Sequence, residues 1–478
     1  MRQTAASICL IAMFVGVEVG SAFAQEKQIV VIKSTLTRRP VRSGPLRFLG
    51  RARPSSEALK DKSTLSSTTS QALVSEKAKL RANATTPNIS NGITNATGYP
   101  STNGTLSSVP YFISWFETGS NHTTAYTYSM IGQSPQAGGT TRINNEVIPV
   151  VVALFHGNGN LIYIFDPTVA HDLQGTDLDL VLHSPIYDAT TTYPGNGSSL
   201  PPDTGQFVDT VMRASFGNVR TADWHTVMNA PTSPSAQYVL SLFYEDGDWS
   251  CVGGEAPPCT SIPVVNISTL FNQFEQVLAL EKLSNKTLPI ILTDYVVAYD
   301  STTGNCCEVG NHSAQPGIAD PTGIMVYVWA TFLPQSDDPF APGFSDVSIL
   351  SHELNEAFNN PFTNNTVDPW IDGSVQFPQA TLEPGDVIER MLAKDAIYSV
   401  PLNPGGKPYT YHVQNEALLS WFTRIPTAPV TGPGPGLYSW PNTNTLNNGH
   451  NPGGPCGIYP GCWVYGEGPG GFLFGPPY

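Results

Sequence analysis

Beyond its first 85 residues the chain is short of positive charge: residues 86–478 hold 9 Lys/Arg against 33 Asp/Glu, a net of −24. So acidic a body lacks the electrostatic footing that nucleic acids and anionic membranes need, and it favours cations or basic and neutral substrates. Simple solubility in an extracellular medium accounts for the same charge. The chain also has no Cys-x-x-Cys pair, which argues against a thiolate zinc cluster. It has neither a Gly-x-Ser-x-Gly elbow nor a Gly-x-x-x-x-Gly-Lys-Ser/Thr phosphate loop, which argues against those nucleophile and nucleotide chemistries. No apolar run after the N-terminus approaches the length of a membrane span, so none is expected in the mature protein.

What is present at the N-terminus is an export signal. Arg2, the apolar stretch Ile8 to Val19 and the small-x-small site Ala22-Phe-Ala24 predict a signal peptide over 1–24, with a secreted protein, extracellular or periplasmic, beginning near Gln25. Removing Cys9 with the signal leaves Cys251, Cys259, Cys306, Cys307, Cys456 and Cys462, an even set suited to an oxidising compartment. Spacing suggests local bridges between Cys251 and Cys259 and between Cys456 and Cys462. The adjacent Cys306 and Cys307 must either bridge each other under strain or reach other partners.

Composition then divides the chain. Residues 25–85 hold 13 Lys/Arg against 4 Asp/Glu, and Ser63 to Ser75 is rich in Ser and Thr. Residues 25–108 therefore read as a disordered basic linker, or as a pro-segment that covers an acidic cleft. Aromatic density from Tyr111 to Phe116 opens a globular body over 109–426, and 427–478 is a Gly/Pro/Asn-rich tail stapled by Cys456 and Cys462.

Within the body, β-rich runs at Val147 to Leu154 and Leu161 to Phe165 flank His156-Gly-Asn-Gly-Asn160 and predict a hairpin. Further strands are predicted at Gln237 to Tyr244, Leu288 to Val297 and Gly323 to Phe332. Helical spacing predicts helices over Thr204 to Ala214 and Ile267 to Leu283. Strands mixed with helices make an α+β fold, a mixed sheet packed with helices.

The stretch that carries chemistry follows the last of these strands: Asp346-Val-Ser-Ile-Leu-Ser-His-Glu-Leu-Asn-Glu-Ala-Phe-Asn-Asn-Pro361. Ile349, Leu350, Leu354, Ala357 and Phe358 form an apolar stripe at helical spacing over Val347 to Asn359. Asp346 or Ser348 is expected to cap the helix, and Asn359-Asn-Pro361 to stop it. His352 and Glu356, four apart, share one face with Glu353 beside them. The pattern has the shape of the zincin His-Glu-x-x-His motif with Glu356 in the second ligand position, and it predicts a zincin-like site helix. A plain amphipathic helix with a solvated acidic side fits the same pattern.

A metal site needs at least one more ligand. Asp368, Asp372, Glu383, Asp386 and Glu389 follow the motif, and the Glu383-Pro-Gly-Asp386 turn brings two carboxylates close together, which makes Glu383 and then Asp386 the first choices. One His with several carboxylates is a harder donor set than the usual zinc site, so calcium and manganese stand beside zinc as the cation. His312, expected in a loop between two strands, could approach the same region, though a lone His is more often a structural residue. His412 and Glu416 repeat the four-residue spacing and suggest a second helical pair, with His412 a candidate donor to a transition-state oxyanion.

His352-Glu-Leu-Asn-Glu-Ala-Phe-Asn-Asn-Pro361 resembles the His-Glu-Leu-Ala-Glu-x-x-x-Asn/Asp-Pro segment of plant phosphate-induced, exordium-like secreted proteins. It also resembles a set of uncharacterised secreted bacterial proteins with a following Leu-Glu-x-Gly-Asp turn, matched here by Leu382 to Asp386. Similarity to that set extends through Thr204 to Arg213, Cys306 to His312 and Tyr327 to Leu333. The plant resemblance implies a cell-wall setting, and the bacterial one a zincin-like site. Glu356 departs from the protease motif at the second ligand. The expectation is a secreted metallopeptidase-like hydrolase with His352, Glu356, Glu383 and Asp386 as metal ligands, Glu353 as general base and His412 assisting. Its substrate would be a peptide or a cell-wall or other extracellular polymer. The alternative is a non-catalytic extracellular or wall-associated binding protein in which the cluster holds a structural cation.

Overall fold

The computed structural model describes residues 28–33, 47–48 and parts of 71–79, and then 101–423 except 118–124, 173–174, 194–201, 218, 233–235, 253, 261, 301–304, 335–344, 372–377 and 389–396. The expected signal peptide, most of the basic segment, the tail with Cys456 and Cys462, and the candidates Asp372 and Glu389 lie outside the described residues.

The architecture is α+β and rich in strands. A mixed central sheet is built from β1 (Gln28–Lys33), β2 (Thr140–Phe155), β3 (Leu161–Phe165), β4 (His225–Met228), β5 (Ala236–Phe243), β6 (Thr287–Asp294), β7 (Gly310–Pro316) and β8 (Ile324–Phe332). The order is β1-β5-β2-β6-β8-β7, with β3 and β4 also pairing with β2. Neighbours from β1 to β8 run parallel, whereas β7 returns antiparallel to β8 and β3 forms the expected hairpin with β2. β1 comes from the segment expected to be a linker, and its backbone adds a strand to the sheet.

The inner strands are continuous apolar runs because both faces of the sheet are covered. Alternate residues of β8 divide between the faces. Tyr327 and Trp329 pack with Leu270, Phe271, Phe274, Val277 and Leu278 of one helix, Ile267–Glu281. Val326, Val328 and Ala330 pack with Ile349, Leu350, Leu354, Ala357 and Phe358 of the other, Ser348–Asn359, called α1 here because it carries the candidate site. α1 also packs against the helix Phe207–Phe216 and the strand Tyr409–Gln414.

The helix Phe207–Phe216 is a scaffold for α1. Its Arg213 is tied to Asp203 at 2.7 Å and to Asp209 at 3.0 Å, and Asp209 also accepts the Thr226 amide at 2.8 Å. Such charges are tolerated in the interior because each is paired with an opposite one. Cys251 and Cys259 are bridged, as their spacing suggested, and Cys307 is also disulfide-bonded. No described helix is long and apolar enough to cross a membrane.

Three local expectations are corrected. The N-cap of α1 is Val347, with no side-chain cap; Asp346 instead accepts the backbone amides of Val347 at 2.5 Å and His412 at 2.9 Å. Residues 409–414 are a strand paired with Ile397–Leu402, and a helix begins only at Leu419, so His412 and Glu416 do not share a helical face. The alternation in Tyr409-Thr-Tyr-His-Val413 suits a pleated strand with Tyr411 and Val413 turned into the core. His312 lies on β7 rather than in a loop.

Phe358 is fully buried between α1 and the sheet. Phe358→Ala is expected to destabilise the fold by about 3–5 kcal/mol, the usual cost of emptying an aromatic site. A urea midpoint unchanged from wild type would show that α1 is not packed as described.

Candidate metal centre

α1 has no solvated side. Every residue from Ser348 to Asn359 is buried, and His352, Glu353 and Glu356 are 0% exposed. This overturns the reading of an amphipathic helix with an acidic outer face. Buried ions cost several kcal/mol each unless something compensates them, so the helix needs a partner for its charge.

Strand parity supplies the first partner. His312 on β7 stands opposite Val328 on β8, and Gly310 opposite Ala330, so both project onto the sheet face that α1 covers. His312 Nδ1 lies 3.4 Å from Glu356 Oε2 and 3.6 Å from Glu353 Oε2, and its Nε2 lies 3.7 Å from Glu383 Oε2. The Leu382–Asp386 turn supplies the rest. His352 Nε2 lies 3.3 Å from Glu356 Oε1 and 3.5 Å from Asp386 Oδ1. Asn360 Nδ2 donates to Glu383 Oε1 at 3.1 Å, and Gln414 Nε2 donates to the Gly385 carbonyl at 2.9 Å, which pins the turn over the helix.

All four predicted ligands, His352, Glu356, Glu383 and Asp386, thus meet, and His312 joins them. They form two groups able to grip a cation: His312, Glu356 and Glu383, and His352, Glu356 and Asp386. The 3.3–3.7 Å separations exceed a charge-assisted N···O hydrogen bond, which is about 2.7–2.9 Å. In the His352 group both separations run from Nε2, and 3.3 and 3.5 Å match the edge of a tetrahedron around zinc at about 2.0–2.1 Å, roughly 3.4 Å; His312 instead turns Nδ1 to Glu356 and Nε2 to Glu383. Neither nitrogen of His352, neither oxygen of Glu353, nor Oε2 of Glu356 or Glu383 has a hydrogen bond. Buried polar atoms are rarely left so, and a cation among them would resolve the deficit.

Left to themselves, these groups share protons unequally. Burial lowers the affinity of His312 for a proton, but Glu383, Glu353 and Glu356 outweigh it and raise its pKa to about 10. His352 is likewise raised, against burial, by Glu356 and Asp386. Burial pushes Glu383 up to about 8, helped by Glu356, while Glu356 itself, despite burial, is drawn down to about 2 by the two imidazoles. Burial also raises Glu353, and it raises Glu416, whose Oε1 accepts from Asn355 Nδ2 at 3.5 Å. The cluster draws positive charge, and a metal ion would compete with these protons for it.

Of the remaining candidates, Asp368 accepts the Tyr126 hydroxyl at 2.8 Å and belongs to neither group. His412 is not a ligand in either group; its Nδ1 is 2.7 Å from Asp346 Oδ2, and its side chain is 18% exposed. The surface cavity lined by Leu182, His183, Tyr187, Asp188 and 402–405 contains none of the cluster. The chain matches no protein-family model, no curated protein and no solved structure, so the chemistry of these side chains must carry the functional reading.

Two glycines let the groups close. A Cβ on Gly385 would sit 2.6–2.7 Å from the His352 ring, and one on Gly310 would sit 2.7 Å from Glu353 Cγ. Gly385→Ala is therefore expected to displace His352 and weaken metal binding by roughly 10–100-fold, as lost ligand orientation does. Undiminished affinity in a zinc-competition titration would remove His352 from the site. Because His312 and Glu383 hold protons at pH 7 with pKa values of about 10 and about 8, binding must expel them. Affinity should rise with pH from 6 to 8, with net proton release in calorimetry run in two buffers; pH-independent binding would contradict ligation by these two residues.

Proposed function

We propose that the chain is a secreted metal-dependent hydrolase that cleaves a peptide or related bond, in a polypeptide or an extracellular polymer, with Glu353 as general base. One observation carries this reading. Glu353 lies outside both ligand groups, yet it is held beside them, 3.6 Å from His312, with both oxygens free of hydrogen bonds. A carboxylate used only to hold a cation would be a member of a group; one kept adjacent suits a proton acceptor. Zinc is the cation proposed, with calcium or manganese the alternatives for this His and carboxylate set.

A bound zinc ion would supply Lewis acidity that makes water a nucleophile at neutral pH. Glu353 would take a proton from the attacking water and pass it to the leaving group, and its raised proton affinity suits both steps. His312, His352, Glu356, Glu383 and Asp386 would hold the cation. His412, its ring oriented by Asp346, is proposed to hydrogen-bond the developing oxyanion. The export signal read from the sequence over 1–24, together with the Cys251–Cys259 bridge, supports an extracellular setting.

A second reading, a cation that braces the fold and catalyses nothing, is favoured by burial: His312, His352, Glu353, Glu356 and Glu383 are all 0% exposed. Structural sites are closed, whereas catalytic ones keep a position open. Glu353→Gln separates the two. The catalytic reading expects unchanged metal content with turnover of a peptide or wall-polymer panel reduced roughly 10²–10⁴-fold. Turnover equal to wild type would take the base role from Glu353, and no turnover by the metal-loaded wild type would favour the bracing role.

A further inference from the structure

We propose that the cluster holds two divalent cations bridged by Glu356. This builds on the metal-centre reading above and adds the number of ions and the division of the ligands between them. The two groups share Glu356 alone. Its two carboxylate oxygens are divided between them: Oε1 faces His352 Nε2 at 3.3 Å and accepts the Asp386 amide at 3.3 Å, and Oε2 faces His312 Nδ1 at 3.4 Å. A carboxylate with one oxygen turned to each of two donor groups is arranged as a bridge, and bridged pairs of catalytic ions stand about 3.5–4 Å apart.

The flanking residues are arranged to match. Asn360 occupies Glu383 Oε1, which leaves Oε2, without a hydrogen bond, on the His312 side. On the other side both nitrogens of the fully buried His352 lack hydrogen bonds, and Asp386 Oδ1 lies 3.5 Å from Nε2. Charge points the same way. Glu353, Glu356, Glu383 and Asp386 bring four negative charges when ionised, all at 0–3% exposure. Two divalent cations with neutral imidazoles balance that charge with no proton retained, whereas one would require the cluster to keep two protons. Glu353 stands on the His312 side, so the ion held by His312 and Glu383 is the one beside the general base.

The test uses the full chain without its signal peptide, loaded with Mn²⁺, freed of excess metal, and counted by elemental mass spectrometry beside electron paramagnetic resonance. Two Mn²⁺ per chain are expected, with a spin-coupled spectrum that grows in with the second equivalent. His312→Ala and Asp386→Asn should each retain one, with an uncoupled six-line signal. One Mn²⁺ per wild-type chain would overturn the two-ion proposal and leave a single metal centre standing, while none would overturn both. Two uncoupled ions would overturn the Glu356 bridge. Should either variant fail to fold, the wild-type count and coupling decide.

Discussion

The structure depends on how α1 can bury a histidine and two glutamates at full depth. An amphipathic helix leaves its charged face in water, but this one is covered on all sides by the sheet, the 207–216 helix, the 409–414 strand and the Leu382–Asp386 turn. The sheet, the turn and the segment after the strand each bring a polar group aimed inward: His312 from β7, Glu383 and Asp386 from the turn, Glu416 after the strand. Packing and charge are therefore one problem. The apolar stripe of α1 accounts for its adhesion to the sheet, and the proposed cation would account for the opposite side.

Much of this was legible in the sequence, because it is written locally. The helices at 207–216, 267–281 and 348–359 and the β2–β3 hairpin follow from side-chain periodicity and turn composition. The meeting of His352, Glu356, Glu383 and Asp386 follows from the spacing of the helix pair and from a Gly-containing turn, where Gly385 allows close approach to the imidazole.

What was not legible depends on long-range register. His312 reaches the cluster because β7 pairs with β8 in the register that sets it opposite Val328, and a shift of one residue would turn it to the other face. A signal was present in Gly310-x-His312-x-Ala314, small residues alternating with a lone His as they would on a strand face pressed against a helix. His412 and Glu416 misled because four-residue spacing means a shared face only in a helix, and the Tyr-Thr-Tyr-His-Val run prefers a strand. The N-terminal segment looked like a linker from its composition, yet backbone pairing of 28–33 with β5 is set by the sheet edge it meets.

The central claim is that a cation makes the burial of this cluster tolerable. The most direct measurement is the thermal unfolding of residues 25–478 before and after dialysis against a strong chelator. Losing the stabilisation of a bound metal should lower the midpoint by roughly 5 °C, and re-addition of zinc or manganese should restore it. Superimposable unfolding curves, with no metal found in the untreated protein, would contradict the account.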